Sequence, residues 1–184
     1  MAQSGAQEKM TKKATLLWMD LEMTGLSPEK DRILEVACIA TDWQMHELGT
    51  YESAIKQNPT LIASRMTGDF WTKNSTTRTD LIAASAKGKS QTKVESELIA
   101  FIKKHFGKTI YLAGNSIHQD RKFIEKYWPN LDKALHYRML DVSAWKIYFE
   151  NARNLHITKP ENHRALDDIR GSIEELTCYL KKIS

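Results

Sequence analysis

Asp20 and Glu22 are the residues whose types and spacing first indicate chemistry. They follow the apolar run 16–19, and residues two apart on a β-strand project from the same face. Two carboxylates held together on an otherwise buried strand repel each other, and a bound cation relieves that repulsion. The Met-Thr-Gly-Leu sequence at 23–26 then ends the strand. The pair therefore predicts one half of a metal site, and the other half must come from elsewhere in the chain.

Further acids and bases occur where predicted elements begin or end. Asp120 lies near the start of a predicted helix that follows a buried strand, and His163 precedes the acidic pair Asp167 and Asp168. Residues five apart on a helix point about 140° away from each other. We therefore expect His163 in the entering loop, as a mobile base above a fixed ligand, Asp168, on the helix. Asp167 is expected to be exposed, where it complements the positive end of the helix dipole.

The elements that position these groups follow from hydrophobic periodicity and turn residues. The nearly continuous apolar run at 33–41 predicts a strand buried on both faces, and a short loop leads from it to a weaker, antiparallel strand at 48–56. The other predicted strands are 14–22, 110–113 and 138–142, and the predicted helices are 61–70, 79–86, 93–106, 120–127 (stopped by Pro129), 143–149 and 165–182. This order predicts an α/β fold with a mixed sheet.

Composition sets the broad class. The 184 residues predict a flexible tail at 1–13 and a single domain at 14–184, and 41% hydrophobic with 27% charged residues is typical of globular proteins. The net charge of +4 is compatible with a nucleic-acid partner but does not require one. Cys38 and Cys178 have no metal-binding spacing, so we expect reduced thiols and an intracellular location. No apolar run predicts a membrane span, and residues 1–13 do not resemble a signal or transit peptide.

Four short segments of the sequence resemble a known enzyme family. They are DLEMTGL at 20–26, GNSxxxD at 114–120, HYRxxDVS at 136–143 and HRALDDI at 163–169. Asp-x-Glu, a central Asp and a terminal His-x4-Asp together resemble the DEDD exonucleases of the His-containing type. Within that group, the four segments resemble the oligoribonuclease family, which degrades very short RNAs from the 3′ end. The resemblance runs from residue 16 to residue 180. It implies a ribonuclease H-like exonuclease fold, with a mixed five-stranded sheet flanked by helices.

The resemblance also implies a catalytic mechanism. Two Mg²⁺ or Mn²⁺ ions would be bound by Asp20, Glu22, Asp120 and Asp168, because oxygen-only ligands suit these hard cations. His163 would accept the proton of the attacking water, since a histidine with a pKa of about 6.5 can do so near neutral pH. The expected reaction is hydrolysis of a phosphodiester, with release of a 5′-mononucleotide from the 3′ end.

Substrate-binding roles are implied by position within the same segments. Leu26 resembles the family's apolar wedge between the last two bases, and Trp71 resembles its stacking platform. Three residues resemble the cap on the 5′ phosphate, namely Ser116, Arg138 and Ser143. Tyr137 resembles an active-site tyrosine that reaches the site from a partner subunit, which implies a homodimer. The expected substrate is single-stranded RNA of about two to five nucleotides, dinucleotides especially.

One position departs from the family pattern, and two rival functions remain open. The family often has a histidine five residues beyond the tryptophan, where this chain has Thr76. The first rival is an exonuclease of the same fold that acts on DNA and RNA over a broader length range. The second is an inactive RNA-binding module, which the five intact core residues disfavour. For location, we expect the cytoplasm, or the mitochondrion if a presequence has been removed.

Overall fold

The computed structural model of the protein describes residues 13–157 and 164–183. The strands of this part are β1 (Ala14–Met23), β2 (Ile33–Thr41), β3 (Glu47–Ala54), β4 (Phe106–Gly114) and β5 (Met139–Asp141). The helices are α1 (Pro59–Arg65), α2 (Asp69–Lys73), α3 (Ser75–Ala86), α4 (Gln91–His105), α5 (His118–Tyr127), α6 (Pro129–Ala134), α7 (Val142–Arg153) and α8 (Ala165–Leu180).

The strands form one mixed sheet in the order β3-β2-β1-β4-β5. β1 pairs antiparallel with β2, and β2 pairs antiparallel with β3. β1 and β4 are parallel, as are β4 and β5. The predicted α/β class, the five-stranded mixed sheet and the antiparallel meander of the first three strands are therefore confirmed.

Alternation along β1 distributes its side chains between two cores. Leu17, Met19 and Leu21 pack in a core that includes residues of α4, α5 and α6. Leu16 and Trp18 pack on the opposite face, in a core that includes residues of α7 and α8. Asp20 and Glu22 continue the face of Leu16 and Trp18. Both carboxylates therefore project from the end of β1 on the side of the sheet that α8 covers.

Several boundaries differ from the predictions. α5 ends at Tyr127, as predicted, but Pro129 then begins the short helix α6, because a fixed φ and a missing N–H are tolerated in the first turn of a helix. Phe106 begins β4 instead of ending the preceding helix, and the predicted strand at 138–142 is shortened to the three residues of β5. α7 extends to Arg153 and ends at Asn154, whose φ of 50° is left-handed.

Other expectations fall at the margins of the described part. Of the predicted tail at 1–13, only Lys13 is described, and its Nζ donates to the carbonyl oxygen of Lys104 at 3.0 Å. Residues 1–12 lie outside the described residues. Cys38 is buried and Cys178 is exposed, and both are free thiols. Among the helices described, none combines the length and the apolar character needed to cross a bilayer.

Candidate active site

Three carboxylates from two elements meet at the end of β1. Asp20 and Glu22 project from β1 and Asp168 from the first turn of α8, and one oxygen of each lies within 4.8 Å of the others. All three side chains are half-buried. Sequence spacing had predicted the first two as a pair. The packing of α8 against the sheet adds the third across nearly 150 residues of chain.

Asp120 joins this arrangement through the backbone of β1. It lies in the first turn of α5, is buried, and its Oδ1 accepts a hydrogen bond from the N–H of Leu21 at 3.0 Å. Leu21 separates the two acids of β1 in the sequence. The fourth predicted metal ligand is therefore fixed beside the other three, although it is not one of the oxygens within 4.8 Å.

Burial and like charge make the ionised cluster unfavourable without a cation. Burial raises the pKa of Glu22 to about 8, with Asp168, Glu35 and Asp120 adding repulsion and Arg164 opposing it. Burial likewise raises the pKa of Asp120 to about 7, against hydrogen bonds that favour its charged form. A divalent cation would relieve both penalties. The donor set, four carboxylates, fits a hard cation such as Mg²⁺ or Mn²⁺.

Glu35 and Arg164 form an ion pair at the edge of this cluster. Glu35 lies on β2 directly opposite Glu22 and is buried, and Arg164 precedes α8. Nη2 of Arg164 lies 3.3 Å from Oε2 of Glu35. Sequence reasoning did not single out this pair. The available signal was an acid inside the apolar run that was predicted to be buried on both faces.

A cleft of about 760 Å³ opens beside the acids, and its lining includes Glu22, Leu26, Phe70 and Trp71. Leu26 is 71% exposed, as a wedge would need to be. The ring of Trp71 is largely buried, and its Nε1 donates to the carbonyl oxygen of Thr24 at 3.4 Å. Phe70 was not predicted to take part, yet it is 53% exposed and meets Trp71 edge-on at 5.0 Å. The cleft therefore offers two neighbouring aromatic rings.

Asp31 supports the loop that carries Leu26. Its carboxylate is buried and accepts hydrogen bonds from the hydroxyl of Thr24, the N–H of Ser27 and the guanidinium of Arg65. Burial opposes ionisation of Asp31, but these donors outweigh it and hold its pKa below the usual value. The acid therefore stays charged and fastens the loop. Sequence reasoning did not predict this role.

A second polar site joins the ends of β4 and β5. The N–H of Ser116 donates to Oδ1 of Asp141 at 3.0 Å and to Oγ of Ser143 at 2.8 Å. Asp141 is the N-cap residue of α7, and its side chain also accepts a hydrogen bond from the N–H of Ser143. Two residues of the predicted phosphate cap are thus in contact. Asp141, which holds them together, was not predicted, although its place before a helix is a recognisable capping signal.

The remaining predicted residues lie apart from these contacts or outside the described part. The guanidinium of Arg138 lies 5.0 Å from the ring centre of Tyr137, which is 72% exposed and stacks on His136. Thr76 is exposed in the first turn of α3. His163, the predicted base, lies outside the described residues.

Comparison with known proteins agrees with this geometry. Residues 17–176 match the RNase_T family model, described as an exonuclease. The chain is 40% identical over 179 residues to an oligoribonuclease of Neisseria meningitidis, covering 92% of each protein. It is 38% identical over 173 residues to an oligoribonuclease of Francisella tularensis, covering 91% of this chain and 95% of that protein.

Solved structures show the same fold. An E. coli exonuclease I–single-stranded DNA complex matches 90% of this chain with a TM-score of 0.60 and 17% identity. Exonuclease I of Methylocaldum szegediense matches 88% with a TM-score of 0.60 and 16% identity. The chain spans about 40% of the length of these exonucleases. The predicted ribonuclease H-like exonuclease fold is confirmed.

Proposed function

Since the chain belongs to the oligoribonuclease family of exonucleases, we propose that it is a 3′-to-5′ exoribonuclease whose preferred substrates are very short RNAs, dinucleotides especially. The observation that carries this proposal is the position of the acids. Asp20, Glu22 and Asp168 cluster beside a cleft whose lining includes Glu22 itself, the exposed Leu26 and two aromatic rings. A scissile phosphate held at the acids would thus have its bases beside apolar and aromatic side chains.

The acids would hold two Mg²⁺ or Mn²⁺ ions, with Asp120 as the fourth ligand residue. Bound there, the ions would supply positive charge to stabilise the attacking and leaving oxygens of an in-line displacement. The chain's own part is to fix the carboxylates, which β1, α5 and α8 do from three directions. His163 is the proposed base that takes the proton of the attacking water, and the leaving group is the ribose oxygen of the preceding nucleotide.

Substrate length would be set by contacts at both ends. Leu26 is proposed to separate the last two bases, and the rings at Phe70 and Trp71 to stack on a base, which is worth about 1–3 kcal/mol. Ser116, Ser143 and Arg138 are proposed to bind a 5′ phosphate, for which the fork of guanidinium donors is well suited. A closed pocket at that end would favour a dinucleotide over a longer chain.

The proposed assembly is a homodimer in which Tyr137 reaches the partner's active site. Exposed apolar side chains on β5, on α7 and in the turn before them support this assembly, because a monomer gains nothing by exposing them. They are Tyr137, Met139, Ile147 and Tyr148. The proposed location is the cytoplasm or the mitochondrion, where free thiols such as Cys38 and Cys178 stay reduced.

A side-by-side digestion tests the proposed function. The full-length protein is incubated with Mg²⁺ or Mn²⁺ and with an end-labelled RNA dinucleotide, a longer RNA or a DNA strand. We expect the dinucleotide to be hydrolysed to 5′-mononucleotides with the highest kcat/KM. Equal kcat/KM on all three substrates would instead favour a broad-range exonuclease, and no hydrolysis of any would favour a binding module.

A further inference from the structure

Asn115 lies at the centre of a hydrogen-bond network that joins the end of β4 to α7 and α8. It directly precedes Ser116 at the end of β4, and its side chain faces α8. Nδ2 of Asn115 donates to Oγ of Ser172 at 2.9 Å and to Oε2 of Glu175 at 3.0 Å. Both partners are buried. The side-chain amide is therefore held between a strand end and the last helix.

The two partners determine which way round the amide lies. The hydroxyl of Ser172 donates its proton to the carbonyl oxygen of Asp168 at 2.9 Å, so its oxygen can only accept from Asn115. Oε2 of Glu175 accepts from the same Nδ2, and the other carboxyl oxygen, Oε1, accepts from the hydroxyl of Tyr179 at 2.9 Å. With acceptors on this side, the NH₂ group of Asn115 must point toward α8, and its carbonyl oxygen must point away.

That orientation sets the direction of the hydrogen bonds in the proposed phosphate pocket. Oδ1 of Asn115 accepts the hydroxyl proton of Ser143 at 3.3 Å. The lone pairs of Ser143 are then left to accept the N–H of Ser116 at 2.8 Å and to face the Ser116 hydroxyl at 3.1 Å. Ser116 has a φ of 49°, a left-handed conformation that is unfavourable for a residue with a Cβ. Its bonds to Ser143 and Asp141 hold it there.

We propose that Asn115 is a positioning residue for the 5′-phosphate pocket, and that through it α8 fixes the spacing between the pocket and the acidic cluster. The inference rests on the proposed function and extends it. α8 carries Asp168, and the next turn of the same helix carries Ser172, which orients Asn115. One rigid helix thus contacts both ends of the substrate site. Length selection depends on that spacing, because a phosphate pocket that shifts can admit a longer chain.

The test compares Asn115→Ala with the wild type on a 5′-phosphorylated RNA dinucleotide and on a pentanucleotide, both with Mg²⁺. Losing the hydrogen bonds that orient Ser143 should raise KM for the dinucleotide about tenfold, with kcat changed less than about twofold. The preference for the dinucleotide over the pentanucleotide should fall by a similar factor. A residue that only supports the fold would lower activity on both substrates alike.

Two further variants complete the test. Tyr179→Phe removes a hydrogen bond to the same buried Glu175 but leaves every bond of Asn115, so it should keep the wild-type preference. Asn115→Ser provides a second measurement if the alanine variant does not fold, because its single, shorter hydroxyl cannot take the places of both Nδ2 beside Glu175 and Oδ1 beside Ser143. If the wild type prefers the dinucleotide and both Asn115 variants retain that preference, the positioning role is wrong. If the wild type itself shows no preference, the proposed function is wrong, and this inference is wrong with it.

Discussion

Asp20 provides the most direct test of the acidic cluster. Asp20→Asn should lower kcat by at least about 100-fold, because an amide cannot neutralise a bound cation as a carboxylate does. Its thermal midpoint without metal should not fall, since the substitution relieves repulsion with Glu22 and Asp168. Single-turnover hydrolysis and a thermal melt measure the two effects.

Asp167 is the matched control for that variant, because it is an exposed acid in the same first turn of α8 as Asp168. Asp167→Asn should keep near-wild-type kcat. An inactive Asp167→Asn, or an Asp20→Asn that hydrolyses RNA at the wild-type rate, would contradict the assignment of the metal ligands.

The raised pKa values of Glu22 and Asp120 predict how stability changes with pH. Their values rise from 4.5 to about 8 and from 3.8 to about 7 on folding, chiefly through burial. At pH values between the ordinary and the raised pKa of each group, the folded protein holds a proton that the unfolded chain has released. The metal-free protein therefore loses stability as pH rises through this window. Divalent cations need the ionised carboxylates, so their stabilising effect should grow over the same pH window.

Thermal melts with and without Mg²⁺ at about pH 6 and about pH 8 measure this linkage. We expect a larger Mg²⁺-induced rise in Tm at the higher pH. Glu22→Gln, which cannot ionise, should show a flatter pH dependence without metal. The same Mg²⁺-induced shift at both pH values in the wild type would contradict the raised pKa values.

At the scale of elements, the loop between β1 and β2 depends on the absence of a side chain at Gly25. A Cβ built there would lie 2.7 Å from a carboxylate oxygen of Asp31. Gly25→Ala must therefore displace a buried acid that fastens the loop, and should destabilise the protein by about 1–3 kcal/mol. Because the loop also carries Leu26, KM for a dinucleotide should rise.

Gly107 in β4 offers the control, since a Cβ there meets no atom within 4 Å. Gly107→Ala should leave both Tm and KM close to the wild type. Comparison of the two variants by thermal melt and steady-state kinetics separates a specific steric effect from the general effect of replacing glycine. Equal Tm values for the two variants would show that the Asp31 contact does not constrain the loop.

At the scale of the whole molecule, the proposed dimer predicts complementation between two inactive variants. Tyr137→Ala and Asp20→Asn should each be nearly inactive alone. If Tyr137 acts in the partner's site, a mixed dimer has one complete site, and exchange of subunits should restore about a quarter of wild-type activity. Steady-state hydrolysis after co-refolding measures this, with sedimentation confirming dimers. No gain above the separate variants would contradict a role across subunits.

Local sequence patterns determined much of the fold. Alternation in β1 predicted that Asp20 and Glu22 share a face, and the continuous apolar run predicted the buried β2, because both signals depend only on the geometry of one strand. The apolar stripe of α8 was equally plain. The end of α5 before Pro129 was predicted, but the start of α6 at Pro129 was not, since a proline can end one helix and begin the next.

Tertiary structure alone decided which distant side chains meet. Sequence spacing could not place Asp168 within 4.8 Å of the acids of β1, because that depends on how α8 packs across the sheet. For the same reason the contacts of Asn115 with α8 and of Asp31 with Arg65 could not be predicted from the sequence. Their partners lie on other elements, and a polar residue in a loop or at a strand end has no periodicity that reveals its contacts. The residue types predicted a metal site, and the packing of α8 against the sheet brought its carboxylates together.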